Sequence, residues 1–516
     1  MRVLMLNPPF FPKYSRSSRS PCVTKGGTLY YPIWLAYATG VLEQAGHKCK
    51  LVDAPASGKT LDDVKGIAKK FRPEMIVSDT STPSIYNDVH ALEELRKETD
   101  VFSALVGTHP SALPLETLQL SEKIDAVAVH EYDYSVRELA ENVEKGRLGE
   151  KDLKKVKGIA FRSGKKLQRN EDRPLIQNLD ELPFVSGVYK RHLNYKDYFY
   201  SANLWPEVTI VTGRGCPFNC KFCYWVQVLN TGAYRVRSVP NVIEEFQFIE
   251  ENFPEAKEVF LEDDTFTGFP KRVEQFCDEK AKQGIKIRWS CNARVDTRLE
   301  TLQKMKKAGC RLLCVGFESG SQDVLNNVSK GTTPARMEQF MQDTKKAGIM
   351  VHGCFMVGNQ GETAETIRAT IELAKKLDPD TAQFFPIMVY PGTASYREFK
   401  KKGWIVTEDY SKWLDERGWH NCMVSRPGLS NNDLVEWCDK ARKEFYLRPK
   451  YMGKKAVQVA TNPREARRIA KAGRTFFKYL WENKAKEARE SREESKGKEA
   501  EAGRGIGTGE GKGKGN

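Results

Sequence analysis

The chain has 516 residues, a formal net charge of +15, and a composition that is 40% hydrophobic and 10% aromatic. This length exceeds that of one ordinary domain, and the composition indicates a globular, soluble protein with two or three domains. Part of the positive charge lies at the extreme C-terminus, so the charge indicates a solvated, lysine-rich surface rather than a nucleic-acid groove. No apolar run reaches the length that a membrane-spanning helix needs.

The first ten residues, MRVLMLNPPF, predict a short apolar strand rather than a secretion signal, because prolines interrupt the run early. We therefore expect a cytoplasmic protein, and the sequence leaves membrane association open. The twelve cysteines are then expected to be thiols or metal ligands, since disulfides are rare in a reducing compartment.

Strand and helix patterns alternate over residues 1–140, which predicts an α/β domain with a Rossmann-like, doubly wound parallel sheet. Strands are predicted at 3–6, 49–52, 75–77, 102–106 and 126–129, and helices at 31–45, 61–71 and 91–99. Sheets of this kind bind ligands in the loops beyond the carboxyl ends of their strands. Two such loops, 79–84 and 107–112, are rich in small hydroxylated residues, and their candidate binding residues are Thr80, Ser81, Gly107, Thr108 and His109.

Residues 141–205 are predicted to form a charged linker with a short hairpin. The alternation then returns over residues 206–400, with strands predicted at 208–212, 258–261, 286–290, 312–316, 351–356 and 383–387. Six βα repeats predict a partial (β/α)6 barrel. Barrel enzymes place their chemistry at the carboxyl ends of the strands.

Three cysteines follow the first strand of this barrel: Cys216, Cys220 and Cys223. Thiolates this close in sequence can hold one metal centre, and three is one fewer than full ligation of a four-iron cluster requires. The next cysteine is Cys277, so one iron would stay open for chemistry. A structural zinc site needs four ligands, and no second CxxC or HxxxH motif follows. A disulfide pair with a spare thiol is disfavoured by the reducing compartment.

The C-terminal part is predicted in two segments. Residues 401–485 indicate a helical extension rich in tryptophan, and residues 486–516 indicate a disordered basic tail rich in glycine. Within the extension, residues 465–482 combine basic residues with apolar and aromatic ones. Such a helix can lie on an anionic membrane or pack on the barrel surface, and the sequence leaves both open.

The CxxxCxxC loop after the first barrel strand resembles that of the radical SAM enzymes, with Phe222 at the position of their usual aromatic residue. Three further segments, 261–266, 316–321 and 358–363, are similar to the family's motifs after strands two, four and five. The resemblance implies that the three cysteines hold a 4Fe-4S cluster. It also implies that S-adenosylmethionine (SAM) chelates the open iron and is cleaved by one electron to methionine and a 5′-deoxyadenosyl radical.

The resemblance also assigns candidate SAM-binding residues, which are Asp263, Asp264, Glu318, Arg235, Arg237 and Gly358. The two aspartates would face the SAM amino group, because a carboxylate beside an ammonium is favourable in a partly dry site. The glutamate would accept a hydrogen bond from the ribose or amino group, or be an ordinary rim carboxylate. The two arginines would pair with the SAM carboxylate, or equally form structural ion pairs. The glycine would let the backbone approach the adenine. Catalytic residues are not predicted.

The first domain resembles the cobalamin-binding domain fused to many radical SAM proteins, on residues 31–47 and 107–110. This implies cobalamin as a further cofactor, bound at the two loops rich in hydroxylated residues. The Asp-x-His-x-x-Gly motif that supplies a cobalt-binding histidine in some cobalamin proteins is absent. His109 is therefore expected to contact the cofactor edge or a backbone carbonyl rather than cobalt. The alternative is a Rossmann-like domain kept for architecture without cobalamin.

Within this class the chain resembles the hopanoid-biosynthesis and membrane-lipid-modifying members, on residues 223–225, 234–238 and 445–449. We therefore predict a radical SAM enzyme that modifies an unactivated carbon of a hydrophobic or lipid substrate. The alternative is a cobalamin-dependent radical SAM methyltransferase that acts on a small molecule or natural product. The other predicted partners are an electron donor of the flavodoxin or ferredoxin type and a peripheral membrane contact, with no nucleic acid.

Two other functions are disfavoured by the cysteine pattern. A scaffold or sensor that uses the cluster as an electron relay would need a fully ligated cluster, whereas this loop offers three cysteines. An RNA methylthiotransferase of the SAM-dependent type would carry an extra cysteine-rich domain. Cys22 and Cys49 lack a third close partner, so no such domain is visible in the sequence.

Overall fold

The computed structural model describes residues 1–230 and 232–461, together with the single positions 466, 469, 470, 473 and 474. The chain divides into two units, of which the first, Met1–Val457, contains the described elements that follow apart from the end of the last helix. Apart from those single positions, the basic helix predicted at 465–482 and the tail predicted at 486–516 lie outside the described residues. Every described helix is too short or too polar to span a membrane.

A seven-stranded sheet forms the N-terminal part of the first unit, in the order β2-β1-β3-β4-β5-β6-β7. The first five strands are parallel, and the hairpin predicted in the linker extends the sheet with two antiparallel strands. The strands are β1 (Arg2–Asn7), β2 (Lys48–Asp53), β3 (Met75–Thr80), β4 (Phe102–Gly107), β5 (Ala126–Ala128), β6 (Ile159–Ser163) and β7 (Lys166–Arg169).

Helices cover both faces of this sheet, which confirms the doubly wound class. In β1, Val3 and Met5 pack into one core and Leu4 and Leu6 into the other, because successive side chains of a strand point to opposite faces. The helices of this part are α1 (Ile33–Gln44), α2 (Ala54–Ser57), α3 (Leu61–Phe71), α4 (Ile85–Glu98), α5 (Thr108–Ala112), α6 (Pro114–Gln119), α7 (Asp133–Glu144), α8 (Glu150–Leu153) and α9 (Val185–His192).

A second sheet of six parallel strands, in the order β15-β14-β13-β12-β11-β8, confirms the predicted partial barrel. A separate two-stranded ribbon of β9 and β10 flanks the cysteine loop. The strands are β8 (Glu207–Ile210), β9 (Gly213–Arg214), β10 (Arg235–Val236), β11 (Glu258–Leu261), β12 (Arg288–Ala293), β13 (Cys310–Glu318), β14 (Met350–Val357) and β15 (Thr381–Pro386).

Helices pack on the outer face of this sheet, while a small cluster around Phe260, Leu312 and Cys314 is separate from that outer core. The helices are α10 (Val239–Asn252), α11 (Pro270–Lys282), α12 (Leu299–Lys307), α13 (Gln322–Asn327), α14 (Pro334–Ala347), α15 (Ala364–Leu377) and α16 (Ala394–Lys401). The separate cluster lies on the inner face, so the interior of the partial barrel is partly filled by side chains.

Two further helices, α17 (Asn431–Tyr446) and α18 (Pro449–Thr461), belong to the C-terminal extension, and the segment before them is irregular. Helix α17 packs against β15, the strand at the edge of the second sheet. The hydroxyl of Tyr446 accepts a hydrogen bond from the Ala382 amide at 2.9 Å and donates one to the Ala382 carbonyl at 2.6 Å. A side chain therefore replaces the missing neighbour strand at this point.

Candidate active site

The cysteine loop joins β9 to β10 and lies beyond the carboxyl end of β8, where the sequence predicts the chemistry. The Gln227 side chain amide donates to the carbonyls of Cys220 at 3.0 Å, Lys221 at 3.0 Å and Cys223 at 3.2 Å. Gln227 belongs to a π-helical turn, Trp225–Leu229, that follows the last cysteine. One side chain thus fixes the backbone of the loop.

The three thiols are half-buried. Burial raises the pKa of the Cys216 thiol to about 11 and that of the Cys223 thiol to about 12. Among the described side chains, no three of His, Cys, Asp or Glu converge on a point where one metal ion would fit. The donor set of three thiols is that of a cluster with several irons, in which each thiolate binds a different iron.

Gly215, directly before the first cysteine, holds the loop in a shape that only glycine permits. Its φ is +84°, and a Cβ atom built on it would lie 1.9 Å from the carbonyl oxygen of Ala233. Its amide donates to Asp264 Oδ2 at 3.0 Å. The loop therefore depends on a close approach of two backbone segments.

We expect Gly215→Ala to displace the cysteine loop and to reduce the iron content of anaerobically reconstituted protein to a small fraction of that of the unaltered protein. The matched control is Gly232→Ala, because Gly232 also has a positive φ (+89°) but no atom lies within 4 Å of its added Cβ. An equally low iron content in both variants would show that the left-handed backbone, rather than the close approach to Ala233, limits cluster loading.

Two of the predicted acidic residues lie at the carboxyl end of β11 with different surroundings. Asp263 accepts hydrogen bonds from the amide and hydroxyl of Thr212, at 2.6 and 2.7 Å. Asp264 accepts from Asn230 at 2.7 Å through Oδ2. Its Oδ1 is buried without a hydrogen-bond donor among the described residues. Asp264 rather than Asp263 therefore has an oxygen without a hydrogen bond to any described residue next to the cysteine loop, and Arg19 Nη2 lies 3.8 Å from that oxygen.

Glu318 ends β13 in a left-handed conformation, with φ +64°. Its Oε1 accepts from Lys330 Nζ at 2.8 Å. A positive φ at a residue other than glycine costs about 1–3 kcal/mol and persists where the surroundings enforce it, which is frequent at functional sites. The backbone strain supports a role for this carboxylate at the rim of the barrel.

The two predicted arginines are engaged elsewhere. Arg235 donates through both guanidinium nitrogens to Glu131, at 2.7 and 2.8 Å. Arg237 pairs with Glu245 and donates to Asn241 Oδ1 at 2.7 Å. Both side chains are buried in these contacts, which corresponds to the structural alternative that the sequence left open.

Gly358 follows β14 at the same rim, with φ +98°. The amide of Gly358 donates to Glu362 Oε2, and the amide of Asn359 donates to the same atom at 2.9 Å. Burial raises the pKa of Glu362 to about 7, and its second oxygen has no donor in the described part of the chain. The structure thus brings the Gly358 loop, Glu318 and Asp264 to one rim with the cysteine loop.

The predicted residues of the first domain lie together at the carboxyl ends of β3 and β4. The Thr80 hydroxyl is buried and lacks a hydrogen-bond partner within the described ranges. Ser81 Oγ lies 2.9 Å from the Tyr14 hydroxyl, and His109 Nδ1 lies 3.3 Å from Thr82 Oγ1. Burial lowers the pKa of His109 to about 3, so the imidazole is neutral at physiological pH.

Gly107 and Thr108 complete this edge. A Cβ on Gly107 would lie 2.3 Å from the Thr80 carbonyl oxygen, so the two strand ends meet closely. Burial raises the pKa of Tyr224, next to the last cysteine, and the nearby Thr108 side chain opposes that rise. An orphaned hydroxyl, small side chains and a neutral imidazole fit the uncharged amide groups on the rim of a corrin, and His109 faces Thr82 and Tyr410 rather than acting as a free ligand.

The carboxyl edges of the two sheets are connected through the turn after the cysteines. His130 Nδ1 lies 2.6 Å from the Val228 carbonyl, and the Tyr224 hydroxyl donates to the Ser18 carbonyl at 2.8 Å. Helix α5 also contacts the turn at Trp225–Leu229. The candidate residues of both domains are therefore joined by one short segment of chain.

Sequence reasoning missed three cations beside the cysteine loop: Arg19, Arg294 and Lys330. Arg19 lies in the long loop after β1 and donates to the Asp263 carbonyl at 3.0 Å. Arg294 follows β12, and Lys330 follows α13. Glu262, within a motif the sequence singled out but not among the predicted site residues, pairs with Arg19. The aromatic residues of the cysteine loop are the signal that could have drawn attention to cationic partners.

Two families match the chain: the Radical SAM superfamily over residues 210–374 and the B12 binding domain over residues 19–140. The first range contains the cysteine loop and the rim formed by Asp264, Glu318 and Gly358. The second contains the carboxyl edge of the first sheet.

Among curated proteins, the chain is 32% identical over 456 residues to an uncharacterized methyltransferase of Pyrococcus horikoshii, which covers 88% of this chain and 94% of that protein. It is 26% identical over 429 residues to the anaerobic magnesium-protoporphyrin IX monomethyl ester cyclase of Cereibacter sphaeroides, covering 81% and 67%. Among solved structures, the chain is similar to the radical S-adenosylmethionine methyltransferase TsrM of Kitasatospora setae, with cobalamin and a 4Fe-4S cluster bound. The TM-score is 0.66 and the sequence identity is 17%, and the match covers 87% of this chain and 91% of TsrM. This last likeness shows a shared fold.

Proposed function

The chain belongs to the radical SAM superfamily, in the class with a B12 binding domain, and we propose that it is a cobalamin-dependent radical SAM methyltransferase of a small molecule. The observation that carries this proposal is the 32% identity to a methyltransferase over 88% of the chain. This was the alternative in the sequence analysis. The comparisons favour it over the prediction of an unspecified change to a hydrophobic or lipid substrate.

When bound, the cluster supplies the electron that cleaves SAM, and cobalamin supplies a carrier for the methyl group. In this proposal the three cysteines hold the cluster, and Oδ1 of Asp264, which has no hydrogen bond among the described residues, accepts from the SAM ammonium. Arg294 on the same rim offers a cation for the SAM carboxylate, since its own partner Asp296 is more exposed than the partners of Arg235, Arg237 and Lys330. Thr80, Gly107 and His109 contact the corrin edge.

The inner face of the barrel below this rim is the proposed substrate position. Tyr200 stacks on Phe260 at 4.8 Å between ring centroids, and Tyr30 meets Tyr200 edge-on at 5.6 Å. The thiol of Cys354, partly exposed, lies on the same face of the sheet as Cys314, whose sulfur lies 3.2 Å from the Tyr200 hydroxyl. Aromatic rings on this face favour a substrate with an apolar or ring-shaped part.

The proposal also includes the substrate class, the electron donor and the membrane contact that the sequence predicts. A hydrophobic or lipid substrate agrees with the aromatic inner face and is the second candidate. A flavodoxin or ferredoxin type donor would supply the electron, and a peripheral membrane contact would use the basic segment at 465–482.

The test is transfer of a labelled methyl group into extracts of a strain that lacks the protein. Anaerobic protein with cluster, cobalamin, reductant and trideuteromethyl-SAM is incubated separately with the water-soluble and the lipid fractions. We expect a labelled product in the water-soluble fraction and 5′-deoxyadenosine in both reactions. Label confined to the lipid fraction would establish the second candidate. 5′-Deoxyadenosine without any labelled product would contradict methyl transfer but keep the radical SAM assignment.

A further inference from the structure

Each cysteine of the loop is followed two positions later by an aromatic residue. Phe218 follows Cys216, Phe222 follows Cys220, and Trp225 follows Cys223. The spacing assigns one aromatic ring to each cysteine along the loop. The aromatic rings therefore recur in the loop with the same spacing from the cysteines.

Each of these rings has one cation over it. Arg294 Cζ lies 3.4 Å from the centroid of Phe218, and Arg19 Cζ lies 4.3 Å from that of Trp225. Lys330 Nζ lies 6.0 Å from the centroid of Phe222. These distances fall within the roughly 6 Å at which a cation is attracted to the face of an aromatic ring.

The cations come from three separate parts of the fold and each is held in place. Arg19 donates to the Asp263 carbonyl at 3.0 Å and pairs with Glu262. Arg294 pairs with Asp296 at 3.0 Å. Lys330 pairs with Glu318 at 2.8 Å. Three independent anchors that converge on three successive rings indicate an arrangement built around the loop rather than a chance surface contact.

The charges also reach the sulfur atoms. Arg294, Arg19 and Lys330 are each close enough to one cysteine for their charges to act on it: Cys216, Cys223 and Cys220 respectively. The Asp264 carboxylate acts in the opposite sense on Cys216 and Cys223.

We propose that Arg19, Arg294 and Lys330 form a cationic shell, one cation for each cysteine, that makes the bound iron–sulfur cluster easier to reduce. The inference rests on the proposed function, because it requires the cluster. Reduction adds one negative charge to the cluster, and a fixed cation nearby stabilises the reduced form more than the oxidised form. Net charge and surroundings set cluster potentials over a wide range.

Arg19 gives this shell a further property. It belongs to the range 19–140 that matches the B12 binding domain, while Arg294 and Lys330 belong to the radical SAM range. The first domain thus contributes a charge directly to the cluster environment of the second. Any displacement of the loop after β1 would change the ease of cluster reduction.

The test is the midpoint potential of the reconstituted cluster without SAM, measured by redox titration followed by electron paramagnetic resonance. We expect Arg19→Gln, Arg294→Gln and Lys330→Gln each to lower the reduced-to-oxidised ratio at a fixed potential about tenfold, a shift of about 59 mV for a one-electron couple. Arg19→Lys, Arg294→Lys and Lys330→Arg are expected to retain most of the ratio. Lys271→Gln, which removes an exposed lysine of α11, is expected to change nothing.

The inference is overturned if the neutral and the charge-keeping variants have equal potentials. Where a glutamine variant assembles no cluster, the charge-keeping variant together with glutamine variants at the other two positions decides the outcome. If the unaltered protein assembles no cluster, the proposed function itself fails. If the unaltered protein assembles a cluster and cleaves SAM, but all variants have the same midpoint potential as the unaltered protein, only the cationic shell is refuted.

Discussion

Replacing Cys216, Cys220 and Cys223 together with alanine is expected to abolish SAM cleavage. The variant has no thiolate in the loop to bind iron, so the cluster cannot assemble and no electron reaches SAM. The measurement is 5′-deoxyadenosine formed by anaerobically reconstituted protein with dithionite and SAM. We expect the product to fall to the background of the reaction without protein, together with loss of bound iron.

The matched control is Cys49→Ala, which removes a partly exposed cysteine of β2 in the first sheet. This variant is expected to retain iron and product formation. Equal 5′-deoxyadenosine from the triple variant and the unaltered protein would rule out the radical SAM site at this loop.

Removing the Glu131 carboxylate is expected to lower the free energy of unfolding by about 3–5 kcal/mol, because Glu131→Ala leaves a buried guanidinium without its partner. Arg235 donates to Glu131 at 2.7 and 2.8 Å, and the side chains are 7% and 5% exposed. The Ile176 amide also loses its acceptor, which lies at 2.9 Å. The measurement is urea unfolding of the protein without cofactors, so that cluster loss does not contribute.

Glu171→Ala is the control for this pair. Glu171 pairs with Lys157 at 3.2 Å, but the two side chains are 83% and 52% exposed. Solvent-exposed pairs contribute about 0–1 kcal/mol, so this variant should unfold almost as the unaltered protein does. If both variants lost the same small amount, the Glu131–Arg235 contact would be a minor one.

The sequence predicted the fold class because hydrophobic patterning is local. In β1 the alternating residues Val3 and Leu4 each belong to a core face, and this two-sided apolar pattern is visible in ten residues of sequence. The place of the cysteine loop after the first barrel strand was equally accessible. It follows from the order of strand and loop along the chain alone.

The side-chain partners were not accessible in this way. Arg19 meets Glu262 across 243 residues of sequence, so no local pattern joins them. Arg235 was expected beside SAM, but its partner Glu131 follows β5 of the first sheet, 104 residues away. Between the neighbours Asp263 and Asp264, the position of Thr212 decides which carboxylate keeps an oxygen without a hydrogen bond to the described residues. Such choices depend on three-dimensional packing.

The hydroxyl of Tyr446 has a consequence for the order in which the chain is made. Strand β15 ends a sheet, and an uncovered strand edge offers its amides to a strand of another molecule. Residue 446 lies sixty positions after the end of β15 at Pro386, so a growing chain completes the barrel strands well before the residue that covers them. During that interval the edge of β15 is uncovered in the nascent protein and can pair with a strand of another molecule. Once α17 is made and packs on β15, it covers this edge and prevents such aggregation.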